Sequence, residues 1–160
     1  MRKGDLNISY RIYANLAELG KSDADLMLAA EKSLRNAYAV YSGFMVGAAL
    51  LLENGETILG NNQENIAFPS SLCAERVALY YCKANYPDVK VLKIAITAKA
   101  SSSKLIVPVT PCGACRQVMS EYERIQDTSI EVILKGEEGE VFVFDRVADI
   151  LPLAFQTTAL

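Results

Sequence analysis

The sequence predicts a three-layer α/β/α sandwich built on a central mixed sheet of five strands. Three observations predict it. Helical and extended patterns follow one another in the order helix, two strands, helix, strand, helix, two strands, which puts helices on both faces of a sheet. Phe44 to Leu52 is an unbroken apolar run, the pattern of a strand buried on both sides. The chain has 160 residues, 51% of them hydrophobic and 22% charged, with no internal repeat or linker. That suits one compact domain over 1–160, large enough to bury a core.

The first 21 residues form an N-terminal extension. Within it Ile8, Tyr10 and Ile12 alternate, so Leu6 to Tyr13 reads in part as a short strand. A helix is expected from about Asp23 to Tyr38. Ser22 is placed to cap it, Asp23 and Asp25 put negative charge on its first turn, and Leu26, Ala29, Ala30, Leu34 and Ala37 recur at helical spacing. After the Phe44–Leu52 strand, Asn54-Gly55 signals a hairpin, and Thr57 to Leu59 returns antiparallel. Asn61 to Ser71 is a polar loop with Pro69, feeding a helix from about Cys73 to Ala84 that Pro87 closes.

Val91 to Thr97 is the next strand, and Ala98 to Thr110 a loop. Pro111 precedes a helix from Cys112 to Arg124, and proline suits a helix start because its missing N–H is not needed there. Ile130 to Leu134 and Val141 to Phe144 are strands joined by Lys135-Gly136-Glu137-Glu138-Gly139, and a short helix spans Val147 to Leu151. The crossovers through the two cysteine-bearing helices are expected to be parallel and right-handed.

Composition excludes several functions. Net charge is −3 with no basic stripe, so a nucleic-acid partner is not expected. No apolar run is long enough to span a membrane. Met1-Arg2-Lys3-Gly4-Asp5-Leu6-Asn7 has basic residues but no apolar stretch after them, so the expected location is cytoplasmic. The chain has no histidine. A Ser-His-Asp or Cys-His unit is therefore impossible, and any metal site must use sulfur and oxygen.

Four cysteines in such a chain point to metal or catalysis before disulfides. Three lie in two short runs, Cys73-Ala74-Glu75-Arg76 and Pro111-Cys112-Gly113-Ala114-Cys115. Cys112 and Cys115, three apart, share a helix face, and Cys73 supplies a third sulfur from another helix. Both runs open helices, where free N–H groups and the dipole ease thiol ionisation. Three protein ligands leave a fourth position open, the catalytic form of a zinc site. Zinc there lowers the pKa of water toward about 7, an effect that three thiolates weaken.

Glu75 is the proton carrier in this arrangement. Arg76 donates hydrogen bonds to the thiolates and offsets their charge. A closed structural zinc knot would need a fourth ligand. Cys82 is the only spare thiol, and it lies about 13 Å along the helix from Cys73. It reads instead as a buried inert side chain.

On these residues the chain resembles the zinc-dependent deaminases, whose signature is His-or-Cys, x, Glu and then Pro-Cys-x-x-Cys. It is most similar to the small homotetrameric cytidine deaminases of pyrimidine salvage. Tyr41-Ser42-Gly43-Phe44-Met45-Val46-Gly47-Ala48-Ala49 looks like their substrate-side strand, and Asn62-Gln63-Glu64-Asn65 like their ribose loop. The similarity runs from about Asp23 to Phe155. It implies hydrolytic deamination of cytidine and 2′-deoxycytidine, with Zn2+ as the only cofactor, a nucleoside as the partner, and a homotetramer.

It also implies site roles. Phe44 packs on the nucleoside, Asn62 and Glu64 bind the ribose 3′-hydroxyl, the Ala74 N–H holds the pyrimidine O2, and Glu75 contacts N3. Phe155 reaches into a neighbour's site and stacks on the base. Two departures stand out. Ser70-Ser71-Leu72 replaces a glycine-containing stretch, and Phe68 stands where many members carry tyrosine. A phenyl ring cannot hydrogen-bond a 5′-hydroxyl.

Read singly, Phe44 and Phe155 are core or interface aromatics, Asn62 and Glu64 are loop polar groups, and Arg76 is a solvated charge. Only their placement relative to the cysteine runs raises them to site residues. Three other functions fit less of the pattern. A deaminase of a blasticidin-type nucleoside antibiotic makes less use of Asn62, Glu64 and Phe44. A non-catalytic zinc scaffold has no use for Glu75. A nucleic-acid editing enzyme conflicts with the acidic balance.

Overall fold

The computed structural model describes residues 1–156. Its centre is a six-stranded sheet. The strands are β1 (Arg11–Tyr13), β2 (Phe44–Leu52), β3 (Thr57–Asn61), β4 (Val91–Ala100), β5 (Glu131–Lys135) and β6 (Val141–Phe144), in the spatial order β1-β6-β5-β4-β2-β3. Three α-helices cover it: α1 (Lys21–Ser33), α2 (Ala74–Asn85) and α3 (Gly113–Ile125). Among the described residues no helix is long and apolar enough to cross a membrane.

Side-chain alternation along the strands divides the core in two. Ala48, Leu50, Leu52, Ile94, Ile96, Val132 and Leu134 face one way, toward Ala78 and Leu79 of α2 and Cys115 and Met119 of α3. Ala49, Ala95 and Ile133 face the other way, toward Leu26, Met27 and Ala30 of α1. The three layers are therefore α1, the sheet, and the pair α2 and α3. On the α1 side the sheet presents Ala49 and Ala95 beside Ile133, Val141 and Val143. Leu50, Leu52, Ile94, Ile96 and Leu134 lie beneath the two cysteine-bearing helices.

The sheet has six strands where the sequence predicts five. The sixth is β1, shorter than the expected Leu6–Tyr13, which pairs antiparallel with β6 at Arg11 to Tyr13. Two interactions hold it. The Tyr10 ring packs on Phe142 and Phe144, with centroids 5.1 and 4.9 Å apart. Arg11 Nη2 pairs with Glu131 and Asp145, each at 2.7 Å.

Both crossovers join strands that run the same way, as expected, but only one joins neighbours in the sheet. β4 and β5, joined through α3, pair in parallel. β3 and β4, joined through α2, run the same way but with β2 between them, antiparallel to both.

α1 starts at Lys21 with Gly20 at its N-cap, so Ser22 lies inside the helix and does not cap it. It also ends before Tyr38. Leu34–Asn36 tighten into a 3-10 turn, and Tyr38 swings out to bridge Gln63. Tyr38 N–H donates to Asn62 O at 3.0 Å, and Glu64 N–H donates to Tyr38 O at 2.8 Å. That bridge fixes the Asn62–Glu64 segment beside the site. The hairpin between β2 and β3 turns at Gly55, whose φ of +87° is a left-handed conformation that glycine adopts without steric cost. The last predicted helix is a 3-10 turn over Val147–Asp149.

Gly60 sets the position of α2. A Cβ at this residue of β3 would sit 2.4 Å from Ala74 O and 2.7 Å from Ala78 N. Only a residue without a side chain lets the first turn of α2 lie this close to the sheet.

Candidate metal centre and active site

The two cysteine runs open α2 and α3. Cys73 is the N-cap of α2 and Cys112 the N-cap of α3, both with extended backbone. Neither makes a side-chain capping bond. Both first turns keep N–H groups free of side-chain caps at the helix starts that carry these cysteines, where partial positive charge favours thiolate. The extended N-cap also resolves the Cys73/Glu75 spacing. Two residues apart on a regular helix would point away from each other, whereas a non-helical Cys73 turns its sulfur toward the face that Glu75 presents.

The three sulfurs form one cluster. Cys112 Sγ lies 3.9 Å from Cys73 Sγ and 3.5 Å from Cys115 Sγ, and all three lie within 4.8 Å of one another. A tetrahedral zinc with Zn–S bonds of about 2.3 Å separates its sulfurs by about 3.8 Å, so the donor set fits that ion. Cys115 is buried, Cys73 is partly buried and Cys112 is exposed, so the cluster opens on the Cys112 side. Cys82 is fully buried in the core beneath α2 and is not part of the cluster. No fourth His, Cys, Asp or Glu among the described residues joins the group.

The charges around the sulfurs are organised. Arg76 Nη2 is 3.6 Å from Cys73 Sγ. The Cys73 thiol is lowered to about 5, first by the hydrogen bond from Cys115 and, against the effect of burial, by those from Arg76 and Cys112. Cys115 is raised, because it donates that hydrogen bond and is itself buried. Arg76 is raised by its bond to Cys73.

Glu75 is 3% exposed, and its Oε2 is buried without a hydrogen-bond partner. Burial pushes its carboxyl above the ordinary range, and the neighbouring Cys73 charge adds to the shift. A buried, unpartnered carboxylate oxygen is costly. This one lines the same cleft as Cys73 and Cys112, and an unpartnered carboxylate oxygen is able to accept a proton.

A cleft of about 500 Å3 adjoins the cluster, a size that accommodates a nucleoside. Cys73, Glu75, Arg76 and Cys112 lie at one end, and Ser42, Glu64 and Phe68 are also part of its lining, with Phe44, Val46 and Asn62. Asn62 uses its side chain on the main chain of β2. Its Oδ1 accepts from Val46 N–H and its Nδ2 donates to Phe44 O, both at 2.8 Å. One N–H and one lone pair of the amide remain.

Glu64 accepts from Ser42 Oγ at 2.5 Å, from Tyr41 N–H at 2.8 Å and from Ser42 N–H at 3.3 Å. The Ser42 bond is the chief reason its carboxyl is lowered. Ala74 is the first residue of α2 and fully buried beside the cluster.

Phe155 is not brought into this cleft. It is 78% exposed in the segment after the Val147–Asp149 turn, and its carbonyl accepts from Gln117 Nε2 at 3.0 Å. The sequence reading missed several supporting residues. Ser42 holds Glu64, Val109 and Thr110 line the cleft, and Arg116 braces the loop into Cys112 by donating to Pro111 O at 2.7 Å and Ile150 O at 3.0 Å. Arg116 carried a signal in its position directly after the Cys112–Cys115 run, and Ser42 in its place within the Tyr41–Ala49 stretch, whereas Val109 and Thr110 carried none.

The model of the cytidine and deoxycytidylate deaminase zinc-binding region matches residues 20–131. The chain belongs to this family. It is 39% identical over 130 residues to the cytidine deaminase of Halalkalibacterium halodurans, covering 81% of this chain and 91% of that protein. It is 40% identical over 135 residues to that of Sporosarcina psychrophila, covering 83% and 91%. Among solved structures it is similar to cytidine deaminase from Burkholderia pseudomallei, with a TM-score of 0.72, 36% identity, and coverage of 86% of this chain and all of that one. The enzyme from Mycobacterium tuberculosis superposes with a TM-score of 0.64 at 28% identity, over 83% and 96%. The matched region is the zinc-binding region of the family, and Cys73, Cys112 and Cys115 are positioned to hold a metal ion.

Proposed function

We propose that the protein catalyses hydrolytic deamination of cytidine and 2′-deoxycytidine to uridine and 2′-deoxyuridine, releasing ammonia, as a step of pyrimidine salvage in the cytoplasm. One observation carries this reading. The buried, unpartnered Oε2 of Glu75 shares a nucleoside-sized cleft with three sulfurs spaced for zinc. The similarity to proteins named cytidine deaminase supports it.

Zinc held by Cys73, Cys112 and Cys115 would supply the Lewis acidity that makes a water molecule nucleophilic near neutral pH. The chain's own residues do the rest. Glu75, its carboxyl raised by burial, takes a proton from the attacking water and delivers it to the pyrimidine N3, then takes the second proton from the hydroxyl now on C4 and gives it to the amino group, which departs as ammonia. The Ala74 N–H, at the start of α2, holds the pyrimidine O2. Phe44 packs on the nucleoside. Asn62, with its remaining amide N–H, and Glu64 bind the sugar hydroxyl. Arg76 balances the anionic sulfur cluster from beside Cys73.

The cleft favours a nucleoside over a nucleotide. Among the described residues Arg76 is the only cation lining it, and that guanidinium is engaged with Cys73. Glu64 holds a negative charge toward the sugar end, where a phosphate would need a positive one.

A homotetramer follows in the same reading. Phe155 is exposed on its own chain and completes the site of a neighbour. The direct test is metal analysis of the purified protein together with a cytidine-to-uridine absorbance assay. About one zinc per chain and turnover that a chelator abolishes are expected. Full zinc content with no turnover of cytidine or deoxycytidine would overturn the proposal.

A further inference from the structure

Two adjacent residues of α3, Arg116 and Gln117, hold main chain that lies outside the helix. Arg116 Nε donates to Pro111 O at 2.7 Å, and its Nη1 donates to Ile150 O at 3.0 Å. Gln117 Nε2 donates to Phe155 O at 3.0 Å. Pro111 precedes the N-cap Cys112, so its carbonyl has no place in the hydrogen-bond ladder of α3. Ile150 lies 34 residues beyond Arg116 and leads into the segment that carries Phe155. One guanidinium therefore joins the approach to Cys112 to the C-terminal segment.

That segment is held in an unfavourable shape. Leu153 has a φ of +58°, a left-handed conformation that a leucine keeps only where its surroundings over-determine it. Its own side chain is 89% exposed, so packing of that side chain is not what holds it. The ties at Ile150 O and Phe155 O stand on either side of it. Glu123, about two turns further along α3, secures the preceding turn separately. It accepts from Val147 N–H at 2.8 Å and from Ala148 N–H at 3.2 Å.

We propose that Arg116 is a positioning residue that couples metal retention to the seating of the C-terminal segment. The proposal rests on the reading of the sulfur cluster as a zinc site and of Phe155 as part of a neighbour's site. The nitrogens of a guanidinium are fixed in one plane, so the position of Pro111 O sets the position from which Ile150 O is held. With zinc bound, Cys112 is pinned, and Pro111 beside it. Arg116 passes that restraint to Ile150. Such coupling is reciprocal, so a seated C-terminal segment also slows the loss of zinc. A subunit loaded with metal then presents Phe155 in place, and an empty one does not.

The test compares the full-length enzyme with Arg116→Lys and Arg116→Met. Lysine keeps the charge but not the planar fork, and methionine keeps an apolar stem with neither charge nor donors. Zinc release is timed with a chromogenic chelator, and both variants are expected to release it about 10–100-fold faster than the wild type. Amide exchange is followed at Ile150 and Leu151, whose N–H groups donate to Val147 O at 3.0 and 3.2 Å. In the wild type, removing zinc is expected to speed that exchange by about fivefold or more. In both variants the zinc-dependent difference is expected to fall below about twofold. Wild-type zinc release from Arg116→Lys would assign the effect to charge, and from Arg116→Met to packing. Either overturns the clamp. Exchange that ignores zinc in the wild type, or still responds fully to it in the variants, overturns the link. The wild-type comparison needs no substitution, so it decides the link even where a variant does not fold. Failure of the parent reading looks different, since the wild type would then retain no zinc.

Discussion

Glu75 combines two features that a purely structural carboxylate would not keep: deep burial and an oxygen with no partner. Glu75→Gln keeps the shape and the burial but cannot carry a proton. It is expected to cut kcat by about 10²–10⁴-fold while zinc content and thermal unfolding stay close to wild type. A large loss of zinc in this variant would instead make Glu75 a structural support of the cluster. Arg76 acts one step further out. Its Nη2 faces Cys73 Sγ, so Arg76→Ala leaves the sulfurs without their counter-charge. A fall of about 10–100-fold in zinc affinity or activity is expected, read by competition with a chromogenic chelator. The affinity should also decline as pH is lowered, because protons compete for the same sulfurs. A pH-independent affinity would argue against thiolate ligation.

Among the elements, one contact positions the site and another holds the far edge of the sheet. The first is the approach of α2 to β3 at Gly60. Adding a Cβ there forces it to within 2.4 Å of Ala74 O, so the first turn of α2 must move, and Cys73 and Glu75 with it. Gly60→Ala is expected to cost about 1–3 kcal/mol of stability and to lower zinc content as well as rate, measured by thermal melts and metal analysis. Wild-type zinc binding in that variant would show that the helix can shift without disturbing the cluster.

The second contact is the edge strand β1. Arg11 joins Glu131, which also pairs with Lys93 at 2.8 Å. Burial alone would raise the Glu131 carboxyl, but hydrogen bonds from Lys93 and Arg11 hold it below the ordinary glutamate value. The sign follows from that direction. Stability from this carboxylate is fully present above the unfolded glutamate pKa and is lost as pH falls through the lower folded value. Arg11→Ala is therefore expected to raise the midpoint of acid unfolding in circular dichroism. Its cost near neutral pH is under about 1 kcal/mol, because Arg11 is half exposed. An unchanged acid midpoint would assign the stabilisation to Lys93 alone.

For the whole molecule, the question is whether one chain contains a complete site. The cleft holds Phe44, Asn62 and Glu64, yet Phe155 lies outside it, exposed, its main chain tied to α3 through Gln117. If the ring serves a neighbour, two crippled chains can rescue each other. Glu75→Gln subunits mixed with Phe155→Ala subunits by unfolding and refolding together should regain activity that neither has alone. A subunit with intact Glu75 then receives Phe155 from a partner. Mixtures no more active than the sum of the two would place the function of Phe155 within its own chain, and light scattering would give the subunit count directly.

The sequence by itself determined the chemistry. Cys73, Glu75, Cys112 and Cys115 were legible because their donor types and spacing at helix starts allow few other uses, and Phe44–Leu52 and Val141–Phe144 were legible strands because burial of alternate or continuous apolar residues leaves a periodic trace. Tertiary structure decided what depends on partners distant in the chain. The sixth strand needed Phe142, Phe144 and Glu131 to hold Tyr10 and Arg11. The end of α1 was set by Tyr38 pairing with the Asn62–Glu64 segment. The use of Asn62 to brace β2, and of Ser42 to hold Glu64, came from hydrogen bonds between residues far apart in sequence. Local periodicity and donor chemistry are written in neighbouring residues, whereas such bonds exist only once the fold has brought their two ends together.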